Sequence, residues 1–100
     1  MSETIEELEN GHLLVHTKQG DFELQEMPYK TVTNAKKRAT RFQNGNESIN
    51  ADLWQLMLIS ESLVKPVLPE LEIEELNGST VFKLIKAVNQ LYDLNSFLQE

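Results

Sequence analysis

His12-Leu13-Leu14-Val15-His16-Thr17-Lys18-Gln19-Gly20-Asp21-Phe22-Glu23-Leu24-Gln25-Glu26 is the stretch whose reading decides the fold. Phe22 and Leu24 alternate with Glu23 and Gln25, the period of two that gives a strand one buried and one wet face. Leu13 and Val15 offer apolar partners for them, and Gly20 supplies the positive φ that a short hairpin loop requires. The stretch predicts a β-hairpin over 12–26. The rest of the chain, from residue 27 on, is mostly in helical period. The expected class is therefore α+β: an N-terminal β-hairpin followed by a mainly helical body of three helices plus a short turn.

Pro28 suits the first turn of a helix, where its missing N–H had no partner to lose. Val32, Ala35, Ala39 and Phe42 then recur at helical spacing and predict a helix over about 29–42. Asn44-Gly45 marks both a turn and a helix stop. A second helix is predicted over about 50–64, capped by Ser48 or Asn50 and ended by Pro66. Leu53, Leu56, Met57, Leu63 and Val64 form its core face, yet Trp54, Leu58 and Ile59 make it apolar nearly all round. Such a helix is central in its fold or shared with a partner. A proline-punctuated acidic linker comes next, with one helical turn near Glu72–Leu76. Ser79 then caps a last helix over about 79–98, with Val81, Leu84, Ile85, Val88, Leu91 and Tyr92 as its stripe. Phe82, Leu94 and Phe97 widen that stripe. Residues 1–11 carry only Ile5 and Leu8 as apolar anchors and read as an acidic, flexible N-terminus ahead of a single small domain over 12–100.

The 100 residues hold 40% apolar and 25% charged side chains, which is ordinary for a globular domain. The absence of cysteine excludes disulfides and thiolate metal sites. No apolar run approaches the roughly 20 residues of a membrane span, and the acidic start Met1-Ser2-Glu3 lacks the basic flank of a signal peptide. A cytoplasmic protein is expected. A net charge of −7 opposes general nucleic-acid binding, which needs basic surface to displace phosphate counterions. The charges are segregated all the same. Lys30, Lys36, Lys37, Arg38 and Arg41 fall in a stretch without acids, whereas Glu70, Glu72, Glu74 and Glu75 cluster further on. The two stretches read as solvated faces, or as a basic segment docking an acidic one in this chain or in a neighbouring copy.

No constellation for catalysis stands out. His12 and His16 sit on one face of a strand about 13 Å apart, too far to converge on one ion, and no third ligand accompanies them. There is no nucleophile elbow, and four glycines leave no phosphate-cradling loop. The glutamates of 70–75 lack the Asp/Asn-rich, Gly-centred loop of a calcium site. A non-enzyme without metal or cofactor is expected. The informative feature is surplus apolar surface on the second and last helices. Trp54, Leu58, Ile59, Phe82, Leu94 and Phe97 are candidates for partner binding, by self-association or by a helix laid across them. Lys36, Lys37, Arg38 and Arg41 are candidates for electrostatic steering of the encounter.

The order of these segments resembles a known family. Arg41 before a loop, Trp54-Gln55-Leu56-Met57-Leu58-Ile59, Leu63-Val64-Lys65-Pro66, Glu74-Glu75-Leu76-Asn77-Gly78 and the helix from Val81 to Leu91 look like the small tail assembly chaperones of long-tailed phages and prophages of Gram-positive bacteria. The resemblance implies a non-catalytic protein of the host cytoplasm, absent from the mature virion. Several copies would coat the helical tape measure protein while tail tube subunits assemble, with tube contacts through a frameshifted longer form. Two readings from other classes stand beside it: a small DNA-binding or regulatory domain using the basic stretch 30–41, and a generic subunit of another complex.

Overall fold

The computed structural model describes residues 5–93. Its fold is mixed α+β, as the hairpin and the helical periods imply. Strands β1 (Ile5–Glu7), β2 (Leu13–Thr17) and β3 (Gly20–Leu24) are followed by helix α1 (Tyr29–Ala39) and a second hairpin, β4 (Thr40–Gln43) and β5 (Asn46–Ile49). Helix α2 (Ala51–Ser62), strand β6 (Leu63–Lys65) and helices α3 (Glu70–Glu74) and α4 (Gly78–Tyr92) complete the described chain.

The expected hairpin is present, with Leu13 opposite Leu24 and Val15 opposite Phe22. All four side chains are buried. Gly20 opens β3 at φ +114°, and the Thr17 hydroxyl donates to its carbonyl at 2.7 Å. The sheet is wider than the sequence suggests. In the segment expected to be flexible, β1 pairs antiparallel with β2, Ile5 opposite Val15. On the other edge β6 pairs with β3, giving the order β1-β2-β3-β6. Leu63 and Val64, expected in the second helix, therefore belong to a strand. Pro66 disfavours helical geometry at Lys65, and the chain is already extended at Leu63, which pairs with Leu24 and is buried.

Helix α1 starts behind Pro28, whose carbonyl accepts from Thr31 and Val32. It buries Ala35 and Ala39 but stops at Ala39, short of the expected end near Phe42. Thr40 closes it, its backbone N–H bonding the Lys37 carbonyl and its hydroxyl the Lys36 carbonyl at 2.7 Å. Thr40-Arg41-Phe42-Gln43 then runs out as β4. Asn44 and Gly45 both take positive φ, 54° and 78°, the requirement of a tight primed hairpin turn. Phe42, expected on a core-facing stripe, is instead 77% exposed.

Asn50 caps α2, its side chain accepting from the Leu53 N–H at 3.1 Å. The helix is apolar all round because it is central: α1, α3 and α4 all pack on it. Trp54, Met57, Leu58 and Ile59 sit in the core with Ile73 of α3 and Leu84, Ala87 and Val88 of α4. Helix α4 packs on both α2 and β2, tying the sheet to the helices. It begins at Gly78 behind Asn77 rather than behind a Ser79 cap. Its described part ends at Tyr92, with Asp93 in the left-handed region at φ 52°. The Tyr92 hydroxyl accepts from the Met27 N–H at 2.8 Å and hydrogen-bonds the Ser62 hydroxyl at 2.7 Å, joining the ends of α4 and α2 to the β3–α1 connection.

Candidate client-binding groove

Leu53 and Leu56 on α2, three residues apart, pack against the edge of the core and remain partly open to the surface. Val81 and Ile85 on α4, four residues apart, face them. With Phe82 these side chains line an open groove of about 420 Å³, whose rim carries Asn50, Asp52 and Glu74. Leu53, Leu56, Val81 and Ile85 are half-buried, but Phe82 is 72% exposed. The fold leaves most of that ring in solvent. The groove has a hydrocarbon floor and acids at its edge. Its floor supplies dispersion and hydrophobic contact for another apolar element.

The sequence-derived candidates divide sharply. Trp54, Leu58 and Ile59 are fully buried in the chain's own core, so they are not surface anchors. The correction has a plain cause: α1, α3 and α4 pack around the part of α2 that carries these three residues, so the chain's own core takes them. The Trp54 indole N–H points at the Val32 carbonyl at a long 3.4 Å, and Lys36 lies 6.0 Å from the ring centroid. Phe82 alone of the six lies on the described surface. Leu94 and Phe97 fall outside the described residues. Leu53, Leu56, Val81 and Ile85 belong by spacing to core stripes, and their half-burial on facing helices is what the sequence does not show. Their i, i+3 and i, i+4 spacing is visible there, but which stripe of each helix faces solvent depends on how α2 and α4 cross.

The basic stretch is dispersed as well. Lys36 stands over Trp54, and Arg38 reaches Glu70 of α3 at 3.6 Å, so the stretch docks in part on this chain's own acidic segment. Lys37 and Arg41 are exposed. The histidines are engaged by carboxylates: His12 Nδ1 contacts Glu23 at 2.6 Å, and His16 lies 2.9 Å from Asp21 and 3.7 Å from Glu6. The hydrogen bond to Asp21 raises the His16 pKa above its ordinary value, and Glu6 adds to the effect. Burial pushes the Tyr92 phenol up, partly offset by its bonds to Ser62 and Met27. Among the described residues no group of three or more His, Cys, Asp or Glu side chains is placed to hold a metal ion. No described helix is long and apolar enough to cross a membrane. No family model, curated protein or solved structure matches the chain.

Proposed function

We propose that the chain is a non-catalytic tail assembly chaperone whose α2–α4 groove holds apolar helical stretches of a tape measure protein during tail assembly in the host cytoplasm. The observation that carries this reading is the groove itself: a hydrocarbon floor between two helices, crowned by an exposed Phe82, on a chain of net charge −7. An amphipathic client helix would bury its apolar face against Leu53, Leu56, Val81 and Ile85, in the helix-in-groove mode. The net negative charge would keep such complexes apart in solution. Departure before the virion is complete, and contact with the tail tube through a longer frameshifted form, belong to the same proposal and rest on the family resemblance.

Co-expression with a tape measure segment tests it. The segment should stay soluble, co-purify with several copies of the chaperone, and remain bound in about 0.5 M salt, because screening weakens charge contacts and not buried hydrocarbon. Phe82→Glu should release it. A client that stays insoluble, or one that binds Phe82→Glu equally well, would count against the groove as the client site.

A further inference from the structure

Two carboxylates stand on the rim of the α2–α4 groove, Asp52 and Glu74, and both residues are exposed. Asp52 lies in the first turn of α2, four residues before Leu56 and so on the same side of the helix. Glu74 is the last residue of α3, and Asn50, the α2 cap, completes the polar edge. Among the described residues neither carboxylate has a basic side chain within ion-pair distance. The lysines of α4 do not line the groove. Lys83 instead donates to the His16 carbonyl of β2 at 3.4 Å.

The chain's own exposed hydrocarbon comes with acids of its own. Leu71 on α3 is exposed, and Glu74 and Glu75 follow it at three and four residues, on the same side. Phe42 lies directly opposite Glu47 on the β4–β5 ladder, and Ile49, two residues from Glu47, shares that face. Setting either patch of another copy on the groove would bring its carboxylates against Asp52 and Glu74. Like charges at that range oppose the contact. An apolar helix flanked by Lys or Arg meets the reverse situation. Its stripe covers the hydrocarbon floor while its bases find carboxylates at the edge.

We infer that the acidic rim makes the groove selective for client helices whose apolar stripe is flanked by lysine or arginine, and excludes acid-flanked apolar surface, the chain's own included. This rests on the reading of the groove as the client site and names the class of helix it takes. Leu53, Leu56, Val81 and Ile85 supply the strength of the contact, which any apolar stripe can use. Asp52 and Glu74 supply the difference between one stripe and another, and specificity is such a difference.

The test uses the full chain and two synthetic helical peptides that share one Leu/Ile/Val stripe. One peptide is flanked by Lys and the other by Glu, residues of similar helix propensity. Calorimetric titration at about 0.05 M and about 0.5 M salt gives their dissociation constants. At low salt the Lys-flanked peptide should bind about tenfold more tightly, and at high salt the ratio should fall below about threefold, as screening removes the contribution of the rim. Asp52→Asn with Glu74→Gln should abolish the preference while both peptides still bind. Glu7→Gln with Glu9→Gln makes the same change of net charge at residues that do not line the groove, and should keep it. Equal binding of the two peptides by the parent at low salt overturns the inference and leaves the groove reading standing. A preference lost equally in both double variants overturns it too, because net charge rather than the rim would then select. If neither peptide binds at either salt, the groove reading fails and the inference fails with it.

Discussion

Replacing Trp54 by alanine separates a core residue from a binding anchor. Trp54 is fully buried on the central helix, enclosed by α1, α3 and α4. Truncating a buried aromatic to alanine removes its transfer free energy and leaves a cavity that the neighbours fill only in part, typically costing about 3–5 kcal/mol. The indole hydrogen bond to Val32 is long at 3.4 Å and adds little. For a domain whose whole stability is roughly 5–15 kcal/mol, that loss is about a fifth of the total or more. At about 4–8 °C per kcal/mol, Tm should fall by more than about 10 °C. Phe82→Ala, at a ring 72% exposed, is the control and should leave stability within about 0.5 kcal/mol of the parent. Thermal and urea denaturation followed by circular dichroism measure both. If Trp54→Ala unfolds at the parental temperature while Phe82→Ala is destabilised, the placement of α2 at the centre of the core is wrong.

Tyr92→Phe should cost about 1–3 kcal/mol in urea denaturation, because it strands the Met27 N–H and the fully buried Ser62 hydroxyl. An unchanged midpoint would mean these groups find other partners. Thr80→Val should be neutral or stabilising by about 1 kcal/mol, since the buried Thr80 hydroxyl has no hydrogen-bond partner among the described residues. A clear loss of Tm would show that the hydroxyl is bonded after all. The raised pKa of His16 stabilises the fold fully below the unfolded value of 6.5, and the benefit disappears as pH rises through the folded value. Comparing Tm of the parent and His16→Gln from about pH 5 to 8 should show the largest gap at the acid end. A gap that widens toward alkaline pH would reverse the sign and refute the ion-pair assignment.

Much of this architecture is legible in the sequence because local signals and burial agree. Alternation in Phe22-Glu23-Leu24-Gln25 sets the hairpin, and the Asn50 cap and Pro66 bracket the central helix. The misreadings share a physical origin. Asn44-Gly45 is a turn whichever elements flank it, and Val32, Ala35, Ala39 and Phe42 fit a helical period by spacing alone. Only β-branched Thr40 hints that the chain leaves the helix and runs out as a strand. Strands β1 and β6 are three residues each, too short to show a period, and exist because the edges of the β2–β3 hairpin accept them. At the candidate site, the surplus of hydrocarbon on α2 is visible, but its destination is not. Trp54, Leu58 and Ile59 are absorbed by neighbouring helices, whereas Leu53 and Leu56 open to the groove. That division comes from helix crossing, which no single segment encodes.

The central claim is that the α2–α4 groove is where an apolar client helix binds. Methyl NMR on protein labelled at isoleucine, leucine and valine tests it directly, by titration with a tape measure helical segment. The account predicts that the methyl signals of Leu53, Leu56, Val81 and Ile85 shift together and saturate together. Val67 and Leu71, exposed apolar residues on the linker and α3 outside the groove, should stay unmoved. Shifts centred on Val67 and Leu71 with the groove methyls unmoved would contradict it.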